Sequence, residues 1–292
     1  MQYHHIYHAG NFADVFKHCV LVMLAQNLCK KNKPIFYLDT HAGIGRYDLT
    51  SELASKTSEY ASGISVLYNQ KEADLKILTS KIAENALATY LQIIQSYNTN
   101  KNLKYYPGSP LILKTLMRTQ DRMALVELHK DDAELLRNEF VNDKQIAVHH
   151  SNGYQSIKAF LPPKEKRGLI LIDPAFEDIN EFENIIAGLK VAKQKFPTGV
   201  YAIWYPIKDL TKIQGFYSEL EAIHFKNILV SEFSVDTLEK DAKLTRCGMA
   251  IINSPWKFEE DLQPLLDWLA ATLAHNNNGY SNWRWLLTNY NA

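Results

Sequence analysis

Cysteine is scarce in this chain: three in 292 residues, Cys19, Cys29 and Cys247, set far apart with no C-x-x-C pair. That excludes a disulfide framework and a cysteine-based zinc site, and the expectation is reduced thiols of a cytosolic kind. Charge of one sign is missing too. The 32 Lys and Arg equal the 32 Asp and Glu, which argues against a surface coated in nucleic-acid-binding charge, although a local basic face escapes such a count. No apolar run approaches the ~20 residues of a membrane helix, and histidines stand where a secretory signal needs an apolar stretch. A cytoplasmic protein without a membrane partner is expected, long enough for one large domain or two small ones.

What the chain does have is a run suited to the middle of a sheet. Gly168-Leu-Ile-Leu-Ile-Asp-Pro-Ala-Phe176 sets a continuous apolar stretch between Gly and Asp-Pro, the pattern of a strand buried on both faces of a parallel sheet. Open α/β sheets place their chemistry outside the carboxyl ends of such strands, so Asp173 is expected to point into a site. The residues that follow suit an exocyclic amine. The lone pair of an adenine N6 is delocalised into the ring, and acceptors on its two hydrogens make the nitrogen a better nucleophile. The Asp173 carboxylate can take one N–H and the Pro174 carbonyl the other. Phe176 offers a face for the base, a stacking contact worth ~1–3 kcal/mol. The tetrad resembles the D-P-P-Y/F signature of S-adenosylmethionine-dependent amino-methyltransferases, with Ala175 in place of the second proline. Asp-Pro-Ala also serves as a plain strand-ending turn, so the tetrad alone leaves both readings open.

Four of the ten histidines fall in the opening segment up to His18. Asn11 is a candidate N-cap for a helix expected over 13–29. No acidic or cysteine ligands complete a known metal spacing there, so a polar site wall is expected and a metal is not. Tyr3, His5 and Lys17 suit a base or a phosphate, and His18 the carboxylate of a cofactor. Further on, an apolar strand from Pro34 runs into Gly43 and Gly45, a turn that lets backbone approach a ligand. The loop lacks the third glycine of a dinucleotide fingerprint and the Gly-Lys-Ser/Thr of a P-loop, which favours a ligand without a pyrophosphate. Asp39 followed by this small-residue turn resembles the first motif of class I methyltransferases, with His41 against the amino-acid end of the cofactor.

From about 48 to 104 the α/β rhythm stops. Helical spacing over 62–68 and 74–97 predicts an inserted helical subdomain, 48–104, within a domain made of 1–47 and 105–292. A turn at 105–110 leads into a helix near 111–118. The strand 124–127 ends on Glu127, placed to take two ribose hydroxyls. The insert widens the usual gap of about 20 residues between the glycine loop and such an acid, so only adjacency of the strands can test the pairing. A strand at 146–150 leads to Asn152-Gly153. The Asn152 carbonyl oxygen can accept from an adenine amine while Gly153 leaves room for the ring, but Asn-Gly is also an everyday turn. Helices over 179–196, 210–223 and 259–274 then alternate with strands over 199–206, 226–233 and 248–253. Seven strands fit a doubly wound sheet with the last one antiparallel. The charged stretch 236–246 reads as a solvated loop, with a mobile lid or substrate loop as the alternative, and the aromatic tail 283–290 has no assigned purpose.

Several of these stretches together resemble one family. His-Ala-Gly-Asn-x-Ala-Asp-Val-x-Lys-His at His8 to His18, Leu-Asp-Thr-His-Ala-Gly-x-Gly-Arg-Tyr at Leu38 to Tyr47 and Tyr-Tyr-Pro-Gly-Ser-Pro at Tyr105 to Pro110 are similar to the RlmJ-type 23S ribosomal RNA adenine-N6 methyltransferases. So are Glu127-Leu-His129, Arg167 to Pro174 and Trp204-Tyr-Pro206. The resemblance spans nearly the whole chain. It implies a class I S-adenosylmethionine-dependent, Rossmann-like fold and N6-methylation of one adenine, at position 2030 of 23S ribosomal RNA. It also implies cofactor contacts at His18, His41, Gly43, Ser109, Glu127, Asn152, Gly153 and Asp173, with Asp173 catalytic beside Pro174 and Phe176, and Tyr3 on the substrate. Two positions depart from the pattern: Ala175, and Asn152 where an Asp is usual. A monomer without metal, acting on 23S RNA before the ribosome is fully assembled, is the expectation. Its rivals are a DNA adenine methyltransferase and a non-catalytic nucleic-acid-binding protein on the same fold.

Overall fold

The apolar runs become the parallel middle of one sheet in the computed structural model, which describes residues 5–70, 78–99, 102–237, 244–275 and 278–288. β6 (Gly168–Ile172) is buried along its whole length and lies between β1 (Phe36–Asp39) and β7 (Val200–Pro206). β4 (Arg122–Glu127) and β5 (Ile146–His150) extend the sheet beyond β1, all in parallel. On the other side β9 (Arg246–Ile252) inserts antiparallel between β7 and β8 (Asn227–Ser234). The order β8-β9-β7-β6-β1-β4-β5 is the expected seven-stranded, doubly wound arrangement. Its direction of winding reverses between β1 and β6, where open α/β sheets bind their ligands.

An eighth strand departs from the expectation. The aromatic tail forms β10 (Tyr280–Thr288), antiparallel to β8 at the sheet edge, and residues 289–292 lie outside the described ones. Trp283 and Trp285 pack against the core while Tyr280, Asn282 and Arg284 are exposed. This is the period-two burial of a strand, so the tryptophans are its inner face.

Helices cover both faces. α1 (Phe12–Cys29) begins at the Asn11 side chain, which accepts the Asp14 N–H at 2.9 Å. It is long and apolar enough by length and composition to cross a membrane, contrary to the expectation that no apolar stretch comes near that length. Every residue from Phe12 to Ala25 is nevertheless buried within the protein, where each fully buried Val or Leu contributes ~1.5–3 kcal/mol. α1 shares its side of the sheet with α4 (Lys81–Ser96), α5 (Ser109–Leu116) and α10 (Phe258–Leu273). α7 (Gly153–Phe160), α8 (Glu181–Lys195) and α9 (Leu210–Ala222) cover the opposite face, and α6 (Lys130–Glu139) joins β4 to β5.

Between 48 and 104 the described residues are mainly helical: α2 (Glu52–Thr57), α3 (Ile64–Tyr68) and α4. Residues 71–77 lie outside the described ones, and α4 starts later than the 74 expected, behind its Ser80 cap. The stretch is closed at its base by β2 (Arg46–Asp48) paired antiparallel with β3 (Tyr105–Pro107), where a plain turn was expected. It also holds the N-terminal segment. Ile64 N donates to Gly10 O at 2.8 Å, and a Cβ on Gly63 would lie 2.2 Å from that same oxygen, so glycine is required there.

Candidate active site

The carboxyl ends of β1, β4, β5, β6 and β7 converge on one cavity of about 1050 Å³. Every described candidate lines it: His5, Lys17, His18, His41, Gly43, Ser109, Glu127, Asn152, Gly153, Asp173, Pro174 and Phe176. Tyr3 lies outside the described residues. The volume sits at the top of the roughly 300–1,000 Å³ range of small-molecule sites, room for a nucleoside cofactor and a second base.

The loop after β1 is stitched to both neighbouring strands. Thr40 donates its hydroxyl to Leu171 O at 2.9 Å, and Ala42 N donates to Val126 O at 2.9 Å. Gly43 adopts φ +60° and donates its N–H to Glu127 Oε2 at 2.9 Å. β1 and β4 pair directly, so the acid reaches the glycine turn despite the insert. Glu127 Oε1 accepts from His129 N at 2.8 Å. A carboxylate has about four acceptor positions, and the two that remain suit a pair of adjacent hydroxyls. Asp39 is fully buried and accepts from Ser109 Oγ at 2.7 Å. Burial raises its carboxyl to about 7, and the nearby charge of Asp173 acts in the same direction.

Two histidines are held neutral. Burial lowers His41 to about 4, and its Nδ1 lies 2.8 Å from Thr40 Oγ1. The Thr40 hydrogen is spent on Leu171 O, so Thr40 accepts from His41 Nδ1–H, which leaves Nε2 as an acceptor suited to an ammonium. Burial, reinforced by Lys17, lowers His18 to about 3, with Nδ1 at 2.6 Å from Tyr106 Oη. His18 therefore offers a carboxylate a hydrogen bond and no charge.

On the other side of the cavity lies a buried ion cluster. Lys17 Nζ is 2.8 Å from Asp14 Oδ1 and 2.5 Å from Asp173 Oδ2, and the Lys17 side chain is 4% exposed. Burial alone would push this ammonium down, but the two carboxylates outweigh it and raise it above the ordinary lysine range. Asp14 likewise stays well below the usual carboxylate range, because Lys17 and His5 outweigh its desolvation. His5 Nε2 lies 3.0 Å from Asp14 Oδ2. Lys17 and His5, expected as direct partners of a base or phosphate, are thus engaged with carboxylates, since a buried charge needs a partner.

Asn152 and Gly153 also take other roles than the ones expected. Asn152 Oδ1 accepts from Tyr154 N at 3.0 Å and Gln155 N at 3.1 Å as the N-cap of α7. Both lone pairs are used, so only the Nδ2 donor is left for a ligand, and it suits a ring nitrogen in place of an amine. A Cβ on Gly153 would lie 2.3 Å from Thr40 O and 2.9 Å from His41 Cε1. Gly153 thus leaves room for the β1 loop, and it also lines the cavity.

Phe176 sits at φ +54°, a conformation that costs a non-glycine residue of order 1 kcal/mol and clusters at functional sites. Its ring is held edge-on by Phe182 and Trp204, at centroid distances of 5.0 and 5.9 Å. Sequence reasoning missed the Tyr154–Glu181 pair in the cavity wall, 2.5 Å from hydroxyl to carboxylate, with Tyr154 edge-on to His41. It also missed Asp14. An i,i+3 spacing to Lys17 was readable, but not that the pair faces Asp173. Among the described residues no cluster of three His, Cys, Asp or Glu could hold a metal.

The chain is similar over nearly its whole length to known methyltransferases. The family model described as "Ribosomal RNA large subunit methyltransferase D, RlmJ" matches residues 32–287. Ribosomal RNA large subunit methyltransferase J of Escherichia coli (strain K12) is 39% identical over 98% of this chain and 99% of its own length. The protein of the same name from Haemophilus influenzae (strain ATCC 51907 / DSM 11121 / KW20 / Rd) is 41% identical over the same shares. A crystal structure of a Legionella pneumophila (strain Philadelphia 1) protein superposes with a TM-score of 0.83 at 36% identity, covering 95% of this chain and 97% of that one.

Proposed function

The chain belongs to the RlmJ family of large-subunit ribosomal RNA methyltransferases, and on that premise we propose that it methylates N6 of one adenine in 23S ribosomal RNA, at the 2030 position that the family implies. It is an S-adenosylmethionine-dependent enzyme with a class I methyltransferase fold. The observation that carries the N6 assignment is the placement of Asp173, Pro174 and Phe176 at the carboxyl end of the central strand, in the cavity that Glu127 and His41 also line. We further propose that it acts in the cytoplasm as a metal-free monomer, on RNA not yet fully assembled into ribosomes, with 48–104 as an inserted helical subdomain.

The donor set fits the cofactor. Glu127 would take the ribose hydroxyls, His41 Nε2 the amino group, His18 the carboxylate and Asn152 Nδ2 a nitrogen of the adenine ring. Bound there, S-adenosylmethionine supplies a methyl group already activated by its sulfonium. Asp173 and the Pro174 carbonyl accept the two N–H bonds of the target amine and aim its lone pair. Phe176 holds the base by its face, backed by Phe182 and Trp204. Lys17 fixes the Asp173 carboxylate through Oδ2, which leaves Oδ1 for the amine. The proton released after transfer leaves through Asp173 or water. Positioning of this kind supplies most of the rate in such a reaction.

The test is transfer of tritiated methyl onto total RNA from cells lacking the gene, with the modified base mapped. Label on N6 of one 23S adenine is expected. Label on duplex DNA alone would move the substrate assignment, and absence of both label and calorimetric cofactor binding would leave a nucleic-acid-binding protein without catalysis.

A further inference from the structure

We propose that the RNA strand flanking the target adenine leaves the cavity across the open end of the sheet formed by β9, β8 and β10, with Arg246, Tyr280 and Arg284 as its contacts. The inference rests on the ribosomal RNA reading above and says where the substrate lies.

The cavity wall on this side is made by Pro206, Lys208 and Leu244. Pro206 pairs with Cys247, and one residue away Arg246 pairs with Ser234, which pairs with Tyr280. These pairings carry the sheet from the cavity wall at the end of β7 across β9 and β8 to the start of β10. At ~4.8 Å per strand, β10 lies roughly 14 Å from β7. Tyr280 is 44% exposed and the Arg246 guanidinium lies over its ring at 5.1 Å. Two pleats down the same strand, Arg284 is exposed and lies over Tyr217 at 5.0 Å. Arginines interleaved with aromatic rings are the surface that single-stranded nucleic acid favours, because phosphates meet the cations and bases meet the rings.

Charge around the cavity mouth is lopsided. Asp131, Asp132, Glu177 and Asp178, against Lys130 and Lys158, lie on the α6 and α8 side, where the excess of acids repels a polyanion. Lys208, Lys212, Arg246 and Arg284 lie on the β10 side against Asp209, Glu232 and Asp236. Of these, Glu232 is already paired with Arg246, and neither Lys208 nor Arg284 forms an ion pair among the described residues. In a chain with no net charge, this local excess gives phosphates one direction out of the site.

The test uses the full chain and a 23S transcript containing the target adenine. Arg284→Glu should raise KM for RNA roughly tenfold and Arg284→Gln roughly threefold, with KM for S-adenosylmethionine and kcat at saturating RNA unchanged. The salt dependence should flatten by about 0.7 in log–log slope for each phosphate that the variant no longer neutralises. Tyr280→Ala should raise KM for RNA without changing that slope. Lys195→Glu, at the far end of α8, should alter neither quantity. Arg284→Gln keeps the aliphatic stem over Tyr217 and carries the test if the Glu variant fails to fold. An unchanged RNA KM and salt slope in a folded Arg284 variant, while the wild type still methylates RNA, overturns this path and leaves the methyl-transfer reading standing. A wild type that labels no RNA overturns both.

Discussion

Lys17 Nζ lies 2.5 Å from Asp173 Oδ2 and joins the buried helix α1 to the carboxyl end of the central strand β6. The pair ties the first helix of the chain to the site, and Asp14 on the previous helical turn completes it. Removal of one member of a buried ion cluster leaves the others unpaired, which costs far more than the cluster is worth as a whole.

Lys17→Met should therefore destabilise the fold by about 3–5 kcal/mol and lower kcat, because the two carboxylates then lose the ammonium that bridges them. Adding Asp14→Asn should recover part of the stability and none of the turnover. Denaturant unfolding and single-turnover methyl transfer on both variants check this.

Glu127→Gln keeps the shape of the side chain but puts an NH2 group against either Gly43 N–H or His129 N–H. A buried donor left unpaired costs ~1–3 kcal/mol, so calorimetric affinity for S-adenosylmethionine should fall roughly ten- to a hundredfold.

Gly153→Ala forces a methyl group to 2.3 Å from Thr40 O. The start of α7 must then shift, at a cost of ~1–3 kcal/mol, which thermal unfolding would detect together with weaker cofactor binding. No loss in either would show that the two loops are looser than this packing.

Asp39 gives a pH signature. Its carboxyl rises from 3.8 to about 7 on folding through burial, so between about pH 4 and about pH 7 the folded chain holds a proton that the unfolded chain releases. Stability from this group is complete below about pH 4 and is lost as pH rises through about 7. Asp39→Asn should flatten that decline in denaturant unfolding measured from pH 5 to pH 8, and an identical decline in the variant would assign it to another group.

Much of this was legible because it is local. The four apolar residues of β6, the glycine turn after β1 and the Asn11 cap each declare themselves in a few consecutive residues. Roles set by distant partners did not. Asn152 read as a base contact or a turn, although an Asn before Gly-Tyr-Gln is also an N-cap signal, and the cap bonds use its oxygen. Lys17 read as a contact for a base or phosphate because nothing nearby in sequence announces Asp173, 156 residues away; His5 read the same way although its partner Asp14 is only nine residues on. The tail carries no assigned purpose in the sequence alone, because alternating Trp and polar residues signal a strand only once β8 offers an edge to pair with.

The most direct test of the account is methyl transfer to 23S RNA by Asp173→Ala, with S-adenosylmethionine affinity measured on the same preparation. The account predicts no turnover with cofactor binding kept in part, because Oδ1 of Asp173 is assigned to the target amine. Methylation at the wild-type rate by that variant would contradict it.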